Sequence, residues 1–483
     1  MATLDASIVN VALPSITTLF RTGLAHSRWI IIAYLFSITG FLLFFGRVAD
    51  MLSRKLIFNL GYFVFSLGSL FCALASSMSE LIAFRAFQGF GAAMLMSNGP
   101  AIITAAFPSN KRGAALGILS MAVSIGLAIG PTLGGLLVNF FSWKSIFLVN
   151  IPFGVLGAVL VYNFVPFDHG MPMMYSEREL SERARRLPLS AKIQLSLEQM
   201  KNFDWVGTLL WALFQFAFVF AIDRENILGF SGPAQRIMSF AAAGILLLFF
   251  IWEASAKEPI LNLTLFRSRM FLTSNLSNLF SSFLVSSITL LMPFYFQNVR
   301  LMEPHHIGLL MTAIPASTFC VAPFSGRLAD RFGNRGSWFL SILGITCMVT
   351  ALALLSLDHI SFGLQAKNPN KLLIVLILMG VGLGVFQSPN SNSIMGAVSR
   401  EHLGVASALL ATIRNFGLVL GTAVSSGFLM HYYYKNALVN PDLMPADNFI
   451  TALRDTFFIL AMIGTGGIIT SLAKGGAREG RVK

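Results

Sequence analysis

Three charged residues stand where charge is costly. Asp5, Arg85 and Arg414 each lie inside or at the edge of a long apolar run. An ionisable group in such a run usually marks a path for ions or substrate. Asp5 is the sole carboxylate of the first run. Desolvation favours the neutral form of a carboxyl, and a nearby cation favours the charged form. A carboxyl held between those influences can take up and release a proton. Arg85 is followed at helical spacing by Gly89, Ala92, Ala93 and Met96, a small-residue face suited to close packing. Its guanidinium either reaches the membrane interface or faces a cavity. Arg414, within ATIRNFGLVLG, offers a charge partner to a carboxylate or a substrate, or a structural hydrogen bond. Asn275 and Asn278 share a helix face with Ser281 and Ser282, and Gln387, Asn390 and Asn392 follow GVGLG. Amides in apolar surroundings must find partners, so these line a cavity or tie helices together.

Other chemistry is missing from the pattern. No nucleophile, base and orienting group stand together, so an enzyme is not expected. GVGLG lies in an apolar run without a βαβ context, and there is no Walker motif, so neither a nucleotide nor a cofactor is expected. Cys72, Cys320 and Cys347 lie far apart in apolar stretches and read as small buried hydrophobes. His305 and His306 read as solvated loop residues, and no metal site is expected.

The elements that position these residues follow from composition. Of 483 residues, 55% are hydrophobic and 11% charged, and the mean hydropathy is +0.73. An average soluble domain carries about 25% charged residues, and disordered chains are poor in apolar ones. A multi-pass membrane protein fits both figures. A helix needs about 20 apolar residues to span the hydrocarbon core. On that template fourteen helices are expected, over roughly 3–20, 29–46, 56–76, 81–105, 113–138, 145–165, 204–222, 237–254, 271–297, 306–326, 337–356, 372–396, 403–430 and 450–473. The runs are longer than the alternating strands of a membrane barrel.

The net charge of +13 reads as topology rather than nucleic-acid binding. With the N-terminus inside, 22 of the Lys and Arg residues fall in cytoplasmic loops and the C-terminal tail, and 10 in outer loops. Both termini are then cytoplasmic. No cleavable signal peptide is read at MATLDASIVN. The longest cytoplasmic loop, 166–203, contains SERELSERARR and then Ile193, Leu197 and Met200 at i, i+4, i+7, a short amphipathic helix at the membrane face. It divides the chain into a six-helix bundle (1–165), the linker (166–203), two additional transmembrane helices (204–254), and a second six-helix bundle with a basic tail (255–483).

Two loops repeat. GRVADMLSRK (Gly46, Asp50, Arg54) recurs as GRLADRFGNR (Gly326, Asp330, Arg331). Both precede an odd-numbered helix and face the same side. Recurrence at equivalent positions suggests two homologous halves, as in transporters that rock about a central site. Gly126, Gly130 and Gly134 share one face of the fifth helix and allow close approach, and Pro131 invites a kink.

These motifs together resemble the major facilitator superfamily, and in particular its fourteen-helix drug:proton antiporter branch. GRLADRFGNR is similar to the family's signature loop. GRVADMLSRK departs from it at Met51 and Ser53. LDASIVNVALPSI resembles the first-helix motif, LIAFRAFQGFGAAM the fourth-helix motif, and GLAIGPTLGG the antiporter motif of the fifth helix. FDWVGTLLW and EPILNLTLFRSRMF resemble the flanks of the two additional helices, and MPFYFQ with the run through IGLLMTAIPASTFCVAPFSGRLAD the ninth and tenth. The resemblance implies proton coupling through Asp5 and Arg85, and an interface at Gly126–Gly134 that controls leak and direction. It implies a proton gradient as energy source, a plasma-membrane location and a carrier that works as a monomer. Family members usually carry about ten more apolar residues before this first-helix motif. Ala6–Phe20 alone rises only about 22 Å, so the start is expected to be internal or truncated. The expected function is export of amphipathic or cationic drugs and toxic compounds by alternating access. Alternatives are a carrier for one specific metabolite or lipid-like compound, and a non-transporting sensor or scaffold.

Overall fold

Long apolar segments leave the backbone no partner but itself, so each closes into a helix. A computed structural model describes residues 1–106, 112–165, 204–222, 232–256, 263–357, 370–398, 403–436 and 446–474. Its first helices are α1 (Ala2–Leu19), α2 (Trp29–Met51), α3 (Arg54–Leu74), α4 (Met78–Ala106), α5 (Arg112–Phe140) and α6 (Asn150–Phe164). Two further helices follow, α7 (Trp205–Ile222) and α8 (Gly232–Ser255). The rest are α9 (Arg269–Asn298), α10 (Pro304–Met311), α11 (Ala313–Ser356), α12 (Asn370–Gly396), α13 (Leu403–Asn436) and α14 (Ala446–Ala473). Among the described residues there is no strand.

Every segment expected to span falls on these helices. The tenth and eleventh share α10 and α11, because α11 runs through a break at Gly333 with φ 59° and ψ −145°. Among the described residues eleven stretches are long and apolar enough to cross a bilayer, and α5 and α7 add the shorter runs Ile125–Phe140 and Trp205–Phe218, while α4, on which the expected span 81–105 falls, is not among them. The linker 166–203 and its expected amphipathic helix lie outside the described residues.

Local chemistry sets the helix starts. Ser53 Oγ accepts from Leu56 N at 3.4 Å and Ser268 Oγ from Phe271 N at 3.4 Å, two N-caps. Ser77 Oγ accepts from Glu80 N at 3.2 Å, and the Glu80 carboxylate accepts from Ser76 N at 2.8 Å. This exchange is close to a capping box.

Most packing falls within α1–α6 and within α9–α14, while α10 lies mainly against α5. The repeat shows in matched contacts. Gly46 of α2 lies beside Ser97 of α4, and Gly326 of α11 lies beside Ser388 of α12, with 3.7 and 3.6 Å from the Cβ each glycine lacks. The signature glycines therefore sit inside helices. The turns fall later, at extended Ser53 and left-handed Gly333. The α7–α8 pair packs on itself and touches both groups: Trp211 Nε1 donates to Thr39 O of α2 at 3.4 Å, and its ring meets Phe416 of α13 at 6.2 Å. Large apolar side chains point outward from the helices, Phe164 and Phe240 among them. Such surface fits lipid rather than water.

Contacts between the two groups gather at the end where α1, α5 and α9 finish. Ser15 donates to Gln297 Oε1 at 3.3 Å, and the Thr132 and Thr312 hydroxyls share a hydrogen bond of 2.7 Å. Arg28 Nη1 donates to Ser426 Oγ at 2.8 Å. A Cβ on Gly135 would lie 2.3 Å from Pro304 O, and one on Gly308 2.3 Å from Pro131 O. Two helix backbones thus touch across the groups. This is the closed end of the molecule.

Candidate functional site

α1, α2, α4 and α6 bring Asp5 and Arg85 together. Both side chains are fully enclosed, and Arg85 Nη1 donates to Asp5 Oδ2 at 2.5 Å. Asp5 Oδ1 accepts from Asn150 Nδ2 at 2.7 Å and from Gln88 Nε2 at 3.1 Å. Three donors on one carboxylate suit its ionised form. Arg85 also donates through Nε to Ile30 O at 3.2 Å and through Nη1 to Gln88 Oε1 at 2.5 Å. Its guanidinium lies 4.0 Å from the centre of the Tyr34 ring and 5.7 Å from that of Phe147, adding cation–π attraction in a desolvated place. Ser69 Oγ accepts from Gln88 Nε2 at 2.7 Å, and Tyr34 Oη donates to Ala2 O at 3.0 Å. The Arg85 guanidinium is turned into this cluster and enclosed by protein.

The residue types of the sequence account for most of this cluster. Gln88 stands three after Arg85, on the same helix face. Asn150 is a lone amide in FLVNIPFG, and its link to Asp5 spans 145 positions, which no local pattern reveals.

α5 presents two faces. Gly126, Gly130 and Gly134 lie on α1, where their missing Cβ atoms would meet Thr3 Oγ1 at 3.1 Å, Ser7 Cβ at 2.9 Å and Ile8 O at 2.8 Å. Pro131, Thr132 and Gly135 meet α10 of the other group at the closed end.

The polar residues of the second group divide. Asn275 is buried and donates to Phe271 O of its own helix at 2.9 Å. Asn390 is buried, donates to Ser274 O at 3.2 Å, and accepts from Lys474 Nζ through Oδ1. The Asn275 Oδ1 acceptor is buried without a partner, and Asn390 ties α12 to α9 and to Lys474. Asn278 Nδ2 donates to Leu410 O at 3.2 Å, joining α9 to α13. Gln387 and Arg414 are partly exposed on α12 and α13. Lys474, just beyond the last span, lies 5.6 Å from the centre of the Phe386 ring. Its burial pushes the ammonium down to about 7.

In the signature loops, Lys55 Nζ donates to Tyr162 O at 2.7 Å, tying the first loop to α6. The Arg331 guanidinium lies 6.0 Å from the centre of the Phe332 ring. Arg54 is partly exposed, and the side chains of Asp50 and Asp330 lie outside the described ones. One group has donor spacing for a metal among the described residues: Glu303, His305 and His306, with ligand atoms within 4.8 Å of one another. It lies at the surface of the closed end.

Residues 1–256 and 237–422 match the sequence profile of the Major Facilitator Superfamily. The chain belongs to that superfamily. Among its superfamily relatives, the riboflavin transporter RibZ of Clostridioides difficile (strain 630) is 31% identical over 98% of this chain and 94% of its own length. The multidrug resistance protein Stp of Mycobacterium tuberculosis (strain ATCC 25618 / H37Rv) is 33% identical over 89% of this chain and 73% of its own. The multidrug transporter MdtP of Bacillus subtilis (strain 168) is 27% identical over 97% and 81%. A solved bacterial homologue of the human lysosomal transporter Spinster, in an inward-facing and unoccupied conformation, has a TM-score of 0.66 at 15% identity, covering 98% of this chain and 94% of its own. That likeness fixes the fold. The chain is therefore a multi-span membrane transporter, and the Asp5–Arg85 cluster is the charged centre of its first helix group.

Proposed function

We propose that the chain is a proton-coupled antiporter that exports amphipathic organic compounds, drugs and toxic compounds among them, by alternating access. The observation that carries this reading is the enclosed Asp5–Arg85 pair with its amide donors. An ionised Asp5 neutralises Arg85. A proton on Asp5 strips that counter-charge from a desolvated guanidinium, and breaking a buried pair in this way costs about 3–5 kcal/mol. Protonation therefore favours any arrangement of α1 and α4 in which Arg85 regains water or another acceptor. Substrate release linked to that rearrangement gives proton and substrate opposite effects on one equilibrium. The multidrug names of Stp and MdtP support the substrate class. In this reading both termini are cytoplasmic and the closed end faces outward.

A second reading, a carrier for one heteroaromatic metabolite, is favoured by the riboflavin transporter that matches nearly the whole chain. One experiment separates the two: purified protein in liposomes with an imposed pH gradient, assayed with a cell-toxic dye and with labelled riboflavin. Dye flux that follows the gradient, and is uncoupled by Asp5→Asn, supports antiport. Dye flux indifferent to the gradient refutes it. Saturable riboflavin flux without dye flux establishes the second reading.

A further inference from the structure

Arg414 is surrounded by protein and still partly accessible. Among the described residues no hydrogen bond or ion pair reaches it, and no charged group bears on it. Two enclosed carboxylates among the described residues have partners elsewhere. Asp5 is paired with Arg85, and Asp204 Oδ1 accepts from Gly207 N at 2.7 Å and Trp252 Nε1 at 2.6 Å.

The position of Arg414 follows from its neighbours on α13. Leu410, four residues before it, accepts from Asn278 of α9. Gly417, three residues after it, lies against Leu279 and Ser282 of α9. Arg414 therefore stands on the face turned to α9, one turn from the Asn278 amide. Asn415 points about 100° away, on the same side as Ser426 eleven residues on. Ser426 is bonded to Arg28 of α2, in the other group. Consecutive residues thus straddle the seam where α13 meets α9 of its own group and α2 of the facing one. Asn415 is buried, and its Nδ2 donor has no partner. Two neighbouring side chains therefore bring unanswered donors, one of them a full positive charge, to the boundary between the groups.

We infer that Arg414 and Asn415 form an anion-recognition site between the two helix groups, and that the substrate carries a carboxylate or an equivalent anionic oxygen group. An uncompensated guanidinium repels cations and presents a fork of donors matched to two oxygens. An organic anion seated there supplies the missing counter-charge and acceptors for the neighbouring amide. A positively charged drug would meet repulsion at the same seam. The inference rests on the transport reading above and names the charge of its substrate, opposite in sign to the cationic compounds among those that the family resemblance implied.

The test is equilibrium binding to purified full-length protein without a pH gradient. The probes share one aromatic body: 2-naphthoate, 2-naphthamide and 2-naphthyl-trimethylammonium. The carboxylate is expected to bind about tenfold or more tightly than the ammonium compound. Arg414→Gln should abolish that preference, and Arg414→Lys should retain part of it, which separates lost charge from lost fold. Equal binding of the ammonium compound, failure of naphthoate to bind, or a preference that survives Arg414→Gln overturns the inference. Binding is read without a gradient. Failed coupling in liposomes therefore leaves this result standing, and gradient-driven dye flux with no carboxylate preference refutes this inference alone.

Discussion

Gly308→Ala should open the closed end. The added Cβ would sit 2.3 Å from Pro131 O, 3.0 Å from Pro131 C and 3.2 Å from Thr132 Cα. All three atoms are backbone, so no side chain can swing away. α5 and α10 must separate by about 1 Å to restore contact, and overpacking of this kind costs about 1–3 kcal/mol. Alanine also favours an isolated helix over glycine by about 1 kcal/mol, so neither group loses stability by itself. The whole penalty falls on the contact between groups. Every 1.4 kcal/mol is about tenfold, so a 2 kcal/mol penalty moves the equilibrium by about 30-fold. A closed fraction of about 99:1 would fall to about 3:1. Spin labels at Phe141→Cys and Leu301→Cys, both highly exposed and on opposite groups at this end, read the distance distribution after the exposed Cys320 is replaced. Gly135→Ala should act in the same direction. The double variant should cost little more than the worse single one, because one separation relieves both clashes. Gly244→Ala, with nothing within 4 Å of the new Cβ, is the control. A folded Gly308→Ala protein with an unchanged short-distance population refutes the packing argument.

Three other outcomes can be measured on purified protein. Lys474→Met should raise thermal stability most at or below pH 7. The free ammonium titrates at 10.5 and the buried one at about 7, so the unfolded chain binds the extra proton between those values. The cost of charging Lys474 is full below about pH 7 and fades as pH rises toward 10.5. At about 1.4 kcal/mol per unit, removing that cost outweighs the hydrogen bond lost to Asn390, worth about 1 kcal/mol. A melting gain that does not shrink from pH 6 to pH 9 would contradict this. Arg85→Gln should destabilise by about 3–5 kcal/mol, and Arg85→Gln with Asp5→Asn by less, since the second change removes the stranded carboxylate. Additive losses in the melting curves would show that the pair is uncoupled. Gly333→Ala should cost about 1–3 kcal/mol, because a φ of 59° with ψ of −145° is strained for any side chain; an unchanged melting temperature would argue that this turn relaxes freely.

Hydropathy alone placed the helices, because an apolar run of the right length has one way to satisfy its backbone in lipid. The loops GRVADMLSRK and GRLADRFGNR were legible as a repeat, and the matched Gly46–Ser97 and Gly326–Ser388 contacts bear the same two-fold pattern. Charges were legible only as types. Asp5 and Arg85 stand out in apolar runs, yet their distance of 80 positions is bridged by packing of α1 on α2 and α4, which spacing does not encode. Lys474 reads as a tail charge because it follows the last apolar residue, but it is nearly enclosed against Asn390. That contact draws Asn390 into the second group's interior, where the sequence had left both a cavity role and a packing role open. The faces of α5 were half legible: a four-residue glycine repeat predicts close approach, and only the structure lays that repeat on α1 and sets Pro131, Thr132 and Gly135 against α10.

That division links the charged cluster to the closed end through one packed layer. α1 carries Asp5 into the cluster, lays Ser7 and Ile8 under Gly130 and Gly134, and ends with Ser15 bonded across the groups to Gln297. From Asp5 to Ser15 is about 15 Å of continuous helix, with Pro14 inside it. A Cβ at Gly130 would overlap the Ser7 hydroxyl, so α1 has no slack against α5 and a displacement of one displaces the other. The opposite face of α5 is the surface that meets α10. Interiors packed at backbone contact shift as bodies rather than deform. A change in charge at Asp5 that moves α1 therefore has to be expressed at Pro131, Thr132 and Gly135, or it has to break the α1–α5 contact. Physical adjacency of this kind, two helix faces deep, needs no longer chain of residues to connect the proposed proton site to the contact that closes the carrier.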